Sequence, residues 1–183
     1  MIELALEFAH DLVPFTHGDS VGKSAEAIAH AKAELAKLDP ESVRAKLYEL
    51  QALGGELPEV EMPLQHVFAP GLYARTIFIP AGTFVVGKIH KHRHVNTLSM
   101  GMVDVLTEGG GIERLRGPMT MTSEPGTKRA LYAHTDLVWT TYHVTNLTDL
   151  DAIEDFVIAP TYEAYERFLL EGEHHAIDLQ RAD

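Results

Sequence analysis

Two hydrophobic periodicities divide this chain into a first part of helical character and a second part of strand character. In the first 60 residues, apolar side chains recur at intervals of three and four, which places them on one face of an α-helix. From about residue 60 onward, short apolar runs are separated by Pro and Gly, as is typical of antiparallel strands. We therefore expect a helical extension over residues 1–60, a β-domain over residues 61–150 and a C-terminal helix and tail over residues 151–183.

The helical extension contains two amphipathic segments. Residues 24–38 form the first, and Asp39 followed by Pro40 gives the second its N-cap and its first helical position. Two glycines at positions 54 and 55 end the second segment, whose apolar face consists of Val43, Leu47, Leu50 and Leu53. Because the connection is short, the two segments predict a helical hairpin whose apolar faces pack against the β-domain or against another subunit.

The β-domain is expected to contain short strands separated by Pro and Gly pairs. They cover residues 63–69, 72–79, 83–91, 94–100, 102–107, 112–117, 119–124, 127–133 and 137–145. After them, residues 149–155 are acidic and fit no single element. Residues 161–171 have the apolar spacing of a helix, and the remaining tail has a solvated character.

Composition narrows the class of protein and its partners. Hydrophobic residues make up 45% and charged residues 23% of the 183 residues, as in globular proteins. The formal charge of −12 argues against the broad basic surface that binds nucleic acid. No apolar run approaches the roughly 20 residues of a membrane span, and the first residues lack the basic start of a secretion signal, so we expect a cytoplasmic protein. Cysteine is absent, which excludes thiolate metal ligands.

Candidate chemistry concentrates in the stretch GTFVVGKIHKHRHVNTLSMG, residues 82–101. His90, His92 and His94 occupy alternate positions in a run rich in Val, Ile, Thr and Leu. On a continuous strand, the three imidazoles project from one face together with Lys88. Neutral imidazole is the commonest protein ligand for first-row transition metals. Such a strand can supply two of the three or four ligands that a metal needs.

This stretch resembles the first motif of the cupin superfamily. That motif is a glycine, five residues, His-x-His, three or four residues, Glu, six residues and a glycine. The chain has the same spacing from Gly82 through Lys88, His90 and His94 to Gly101. It departs from the motif twice, because Lys88 stands where the first His is expected and His94 stands where Glu is expected.

The second cupin motif has a looser match. That motif is a glycine, five residues, Pro-x-Gly, two residues, His, three residues and Asn. Here Gly117 is followed by Pro125 and Gly126, and Arg129 and Ala133 stand at the His and Asn positions. The resemblance covers about residues 64–146.

The resemblance implies a mainly β fold, a cupin-like antiparallel β-barrel (double-stranded β-helix or jelly roll). With the helices read from the periodicity, the expected architecture is an N-terminal α-helical hairpin, the barrel and a C-terminal helix. The cupin superfamily contains many enzymes and also binding proteins, so the fold alone assigns no activity. The chain is also similar to small cupin-like proteins encoded by tailed phages, for which the location is the host cytoplasm.

Three histidines are the candidate metal ligands: His90, His94 and His143. His143 lies in the last expected strand, where it can reach the other two and complete a facial three-nitrogen site for Zn, Fe, Mn or Ni. Two alternatives stay open. The ammonium of Lys88 would repel a dication, which favours a polar pocket without metal, and His143 can also be a core histidine bonded to a backbone carbonyl.

Five further residues are candidate contacts for a small acidic or hydroxylated ligand in the barrel: Lys88, His92, Asn96, Arg129 and Tyr132. Arg129 occupies the His position of the second motif, where a guanidinium can bind a carboxylate or phosphate bidentately. Alternatively, Arg129 is an outward-facing surface arginine, because an error of one residue in the strand register reverses the direction of every side chain on that strand. Aromatic residues such as Tyr132 are more often barrel wall than ligand contact.

Three hypotheses for function follow. The first is a metal-dependent cupin enzyme, and the second is a non-catalytic module that binds a small molecule or nucleotide. The third is a structural protein whose barrel forms oligomers. In each case the helical extension has more apolar surface than one barrel end covers, so we expect a homodimer or a higher homo-oligomer.

Overall fold

A computed structural model describes residues 39–55, 59–107 and 111–181. Helices in these ranges are α1 (Pro40–Gly54), α2 (Leu150–Val157) and α3 (Tyr162–Arg181). The strands are β1 (Leu64–Ala69), β2 (Leu72–Ile79), β3 (Phe84–Val86), β4 (Ile89–His90), β5 (His94–Met100), β6 (Met102–Thr107), β7 (Gly111–Arg116), β8 (Met119–Ser123), β9 (Arg129–Ala133), β10 (Leu137–His143) and β11 (Ile158–Ala159).

The strands form two main antiparallel sheets with a nested connectivity. One sheet has the order β1-β2-β10-β5-β8 and the other the order β3-β9-β6-β7. The pairs β6–β7, β5–β8, β3–β9 and β2–β10 therefore nest inside one another, as in one long hairpin that has been rolled up. This strand order is the jelly roll, or double-stranded β-helix. The expectation of a mainly β, antiparallel barrel is confirmed.

The core lies between the two sheets because alternate residues of every strand point inward. Its fully buried members include Leu98 on β5, Val103 on β6 and Leu137 on β10. Burying an aliphatic side chain of this size stabilises the fold by about 1.5–3 kcal/mol. The core fills one end of the barrel, and the other end carries the polar side chains described below.

Helix α1 packs on the outer face of the four-stranded sheet. The side chain of Asp39 accepts a hydrogen bond from the Ser42 backbone N–H at 3.0 Å, which caps the first turn. On the opposite end the helix stops at Gly54, as the glycine pair predicts. Val43, Leu47 and Leu50 of the predicted apolar face are buried against the outer side of the sheet, in a cluster that also contains Leu106, Ile112 and Ala130. Residues 24–38, the first half of the predicted hairpin, lie outside the described residues.

Three expectations for the elements need correction. Residues 83–91 are not one strand, because the chain leaves β9 after Val86 and joins β11 as β4. Residues 150–155 belong to α2, and the preceding Asp149 is its N-cap and accepts a hydrogen bond from the Ala152 N–H at 2.9 Å. Helix α3 continues to Arg181, ten residues beyond its expected end at 171. Within the described residues, no helix is both long enough and apolar enough to cross a membrane.

Candidate metal centre

Three strands bring His90, His94 and His143 together at the polar end of the barrel. His94 opens β5 and His143 closes β10, and these strands are antiparallel neighbours with Val95 paired to Tyr142. Both side chains have the inward parity of Leu98 and Trp139, which lie in the core. His94 and His143 are each 5% exposed.

His90 reaches the same place from the short strand β4. Its backbone pairs with Ile158 of β11, and its carbonyl accepts a hydrogen bond from the Gly126 N–H at 2.8 Å. Gly126 has a φ of 79°, and a Cβ there would lie 2.6 Å from the ring of Tyr165. A glycine is therefore required at this position of the second motif.

The three imidazoles are in mutual contact. The ring centroids of His90 and His94 are 4.2 Å apart, and that of His143 lies 5.2 Å and 5.0 Å from them. One nitrogen from each ring can be chosen so that all three lie within 4.8 Å of one another. The sequence-based expectation that these histidines meet is confirmed in position.

Hydrogen bonding leaves ring nitrogens free for a ligand. His94 donates Nδ1–H to the backbone carbonyl of His92 at 2.9 Å, because a carbonyl can only accept, so the free lone pair is on Nε2. Nδ1 of His90 is buried and has no hydrogen-bond partner within the described part of the chain. A buried polar atom without a partner destabilises a fold by about 1–3 kcal/mol.

Burial keeps all three rings neutral. It lowers the pKa of His90 to about 2, with further lowering by the neighbouring His94 and His143. Burial, followed by the neighbouring His94, lowers the pKa of His143 to about 4, and burial also lowers the pKa of His94. Near neutral pH each ring therefore carries an unprotonated nitrogen, which is the form that binds metals.

Two arginines add positive charge beside the histidines. Arg129 on β9 has the inward parity of Leu131 and Ala133, and its charge contributes to the lowered pKa of His90 and of His94. Arg75 on β2 has the inward parity of Ile77, and its charge contributes to the lowered pKa of His90 and of His143. The polar end of the barrel is thus electropositive.

Arg75 was not singled out from the sequence, and Tyr73 was expected to be barrel wall or core rather than a ligand contact. The ring of Tyr73 stacks on His143 at 6.2 Å, and its hydroxyl lies 2.7 Å from Nδ1 of His66. Helix α2 covers Tyr73 with Ile153 and Val157. The signal was present, because both residues alternate with the core residue Ile77 along β2.

Two candidate residues point away from the histidines. Lys88 lies between β3 and β4, where its side chain is 60% exposed and forms an ion pair with Glu154 of α2. His92 lies in the turn between β4 and β5, and its ring packs on Phe156 at 4.7 Å and on Phe168 at 5.4 Å. The prediction that Lys88 and three alternate histidines share one face was wrong because the strand is interrupted at residues 87–88 and at residues 91–93.

Two more candidate residues have interactions that do not involve the histidines. Asn96 faces inward, but its Nδ2 donates to Ser123 at 2.7 Å and its Oδ1 accepts from Trp139 and Thr141, both at 3.0 Å. Tyr132 lies on the outer face of the four-stranded sheet, where its ring contacts His134 at 5.1 Å. The expected position of Tyr132 inside the barrel is therefore wrong.

Among known proteins, the chain is similar to solved structures only. No protein-family model matches the chain, and no curated protein matches it. KdgF from Halomonas sp. is 19% identical, with 49% of this chain and 86% of that chain covered and a TM-score of 0.40. Ectoine synthase from P. lautus is 15% identical, with 63% and 86% covered and a TM-score of 0.45.

A third similar structure is a RmlC-like cupin family protein with a double-stranded β-helix fold from Methanocaldococcus jannaschii. It is 10% identical, with 46% of this chain and 80% of that chain covered and a TM-score of 0.40. These similarities are low, so the fold assignment rests on the strand order described above. They give no support to the narrower resemblance to phage-encoded proteins.

Proposed function

We propose that His90, His94 and His143 bind one divalent transition metal, and that Arg75 and Arg129 bind a small acidic ligand beside it. The observation that carries the proposal is the contact of three buried imidazoles, one of them with an unsatisfied nitrogen. Imidazole nitrogen suits Zn, Fe and Ni, and a three-histidine set leaves coordination positions open for substrate or water.

The donor set fits such a metal in size and charge. Metal–nitrogen bonds are about 2.0–2.1 Å long, so two ligand nitrogens on one ion lie at most about 4.2 Å apart. The three ligand nitrogens lie within 4.8 Å of one another, and side-chain shifts of less than about 1 Å bring them to the required separation. A bound metal would also supply the missing partner of His90 Nδ1.

The positive charges near the histidines determine which kind of ligand accompanies the metal. The ammonium of Lys88 does not oppose a dication, because it is exposed and paired with Glu154 outside the barrel. Arg75 and Arg129 do oppose it, since the charge of each contributes to the lowered pKa of His90. An anionic ligand would balance the metal and the two guanidinium groups, which is why the proposal includes an acidic small molecule.

Metal analysis and thermal unfolding of the purified protein test the proposal. A bound metal at a hundred times its dissociation constant stabilises the fold by roughly 2.7 kcal/mol. A chelator should therefore lower the melting temperature, and re-addition of Zn, Ni, Mn or Fe should restore it. His90→Ala and His94→Ala should each abolish this response, whereas His174→Ala, on α3 rather than in the barrel, should retain it. A melting curve that chelator leaves unchanged, with no metal in the protein, contradicts the proposal.

The second candidate function is a binding module that holds an anion without metal. The pair Arg75 and Arg129 favours it, because two cations beside neutral histidines attract a carboxylate or phosphate on their own. The same chelator experiment separates the two functions. Ligand binding that survives chelation and both histidine substitutions, but is lost in Arg129→Gln, supports the binding module.

A further inference from the structure

A cavity lies outside the barrel and is not part of the histidine site. Its volume is about 480 Å³, which is within the range of small-molecule sites. Five segments line it: α1, the connection between β3 and β4, the connection between β8 and β9, α2, and β11 with the residue that follows it. Its lining includes Gln51, Val86, Lys88, Lys128, Glu154 and Ile158.

Lys128 is the unusual member of this lining. It is only 4% exposed, yet no carboxylate pairs with it among the residues that the structure describes. Its Nζ donates to the Gly87 carbonyl at 2.8 Å and lies 5.7 Å from the centre of the Tyr48 ring. An ammonium has three N–H donors, and this carbonyl uses one of them. Burying a cation without an anionic partner is unfavourable, which points to a ligand that supplies the anion.

The other charged residues of the lining, Lys88, Glu154 and Asp155, are exposed. Lys88 neutralises Glu154, and Lys91 donates from Nζ to the backbone carbonyl of Asp155 at 2.6 Å. The remaining carboxylate of the lining, that of Asp155, is exposed, so the buried Lys128 is the charged group of the lining that neither an ion pair nor water compensates.

We infer that this cavity binds a small organic anion whose carboxylate or phosphate group contacts Lys128. The remaining wall fits the rest of such a molecule, because Val86, Ile158 and Pro160 are apolar and Gln51 offers an amide. The inference goes beyond the metal centre and does not depend on it. Neither the first nor the second cupin motif includes Lys128 as a ligand position.

Calorimetric titration of the full chain with benzoate and, separately, with inorganic phosphate tests the inference at constant ionic strength. Lys128→Met keeps the length of the side chain and removes its charge, and Lys128→Arg keeps the charge. A charge-assisted hydrogen bond of this kind corresponds to at least about a tenfold change in dissociation constant. We therefore expect Lys128→Met to weaken binding of at least one probe by at least that factor and Lys128→Arg to weaken it less.

A second pair of variants keeps the test valid if Lys128→Met does not fold. Gln51 is an exposed position of α1 that lines the cavity, so substitutions there leave the core intact. Gln51→Glu places a carboxylate at the wall and should weaken anion binding, whereas the neutral control Gln51→Ala should not. Equal affinities for these two variants overturn the inference.

The barrel arginines provide the remaining control. Binding of neither probe to the unmodified protein overturns the inference. Binding that is lost in Arg129→Gln and unchanged in Lys128→Met also overturns it, because the anion then lies in the barrel. Binding that is weakened by Lys128→Met and unchanged by His90→Ala and Arg129→Gln supports a separate site, whatever the outcome of the metal experiments.

Discussion

At the scale of single residues, Asp104 is a buried carboxylate that interacts with both Arg114 and His134. It lies on β6 with a side chain only 7% exposed, and it accepts two hydrogen bonds from Arg114 at 2.7 Å and one from His134 at 2.9 Å. Burial would raise the pKa of Asp104, but the hydrogen bonds from Arg114 and His134 lower it well below its usual range. The carboxylate is therefore ionised in the folded protein at acid pH where an unfolded chain is protonated.

The first prediction concerns the pH dependence that this network creates. The pKa of Asp104 is lower in the folded protein than in the unfolded chain. The contribution of Asp104 to the free energy of unfolding is therefore fully present above the unfolded pKa of 3.8, and it is lost as the pH falls through the folded pKa. Urea denaturation between pH 3 and pH 7 should show the free energy of unfolding falling below about pH 5. Asp104→Asn should reduce this fall and, at pH 7, should cost about 1.5–3 kcal/mol, the contribution of hydrogen bonds to charged groups.

Glu113→Gln is the matched control, because Glu113 is an exposed acid on the neighbouring strand β7. It removes the same charge without removing a buried network. An Asp104→Asn protein with the stability and acid dependence of the Glu113→Gln protein would contradict this account.

At the level of elements, α2 is the helix that joins the C-terminal part to the histidine site. Ile153 and Val157 are buried against Tyr73, whose ring in turn contacts His143. Two backbone interactions hold the neighbouring segments together, since Lys91 N–H donates to the Val157 carbonyl at 2.8 Å and β4 pairs with β11. The position of His90 thus depends on a segment almost 70 residues later in the chain.

The second prediction tests the packing of this helix. Ile153→Ala removes a side chain that is 2% exposed and should lower the free energy of unfolding by about 2–5 kcal/mol, as for other large-to-small core substitutions. Leu150→Ala on the same helix, where Leu150 is 44% exposed, should change it by less than about 1 kcal/mol. Equal effects in a denaturant titration would mean that α2 does not pack on the barrel.

For the whole molecule, the outer face of the five-stranded sheet is the distinctive surface. Side-chain alternation gives its outward positions, and none of those positions on β1, β2, β10, β5 and β8 carries a charged residue. Val67 and Val95 on this face are 50% and 41% exposed. A chain with 23% charged residues and a net charge of −12 leaves this face uncharged, so two copies can meet here without like-charge repulsion.

The third prediction is that two copies of the chain pair through this sheet face. Five strands spaced about 4.8 Å apart and about seven residues long give roughly 600 Å² of flat surface. The side chains that project from this face increase its accessible area towards the roughly 800 Å² per partner of a standard interface. Light scattering at micromolar concentration should report about twice the chain mass of 20.2 kDa.

The introduction of negative charge on this face tests the location of the interface. Val67→Glu combined with Val95→Glu should give a monomer, because a two-fold interface brings the new carboxylates close to their copies. Leu170→Glu adds a charge at an exposed position of α3 and should leave the mass unchanged. A monomeric unmodified protein, or a dimer that both sheet substitutions leave intact, contradicts the prediction.

Local sequence signals determined most of the secondary structure. The strand bounds of β1, β2, β5 and β6 agree with the expected ranges within one residue, because alternation and Pro/Gly breakers act over a few residues. The start of α1 followed from Asp39 and Pro40 for the same reason. The spacing of the first motif also identified His90 and His94, and the position of His143 at the end of the last strand identified the third histidine.

Only the tertiary structure decided the direction of the side chains in the interrupted region and the composition of the site. Lys88 and His92 face away because Gly87 bonds to Arg129 and Lys128 while β4 bonds to β11, and these partners lie about 40 to 70 residues away in sequence. Arg75 faces the inside of the barrel and Tyr132 faces the outside. These directions follow from the register of β2 and β9 with their neighbouring strands. Alternation specifies that successive residues face opposite sides, but which side faces the barrel depends on non-local pairing.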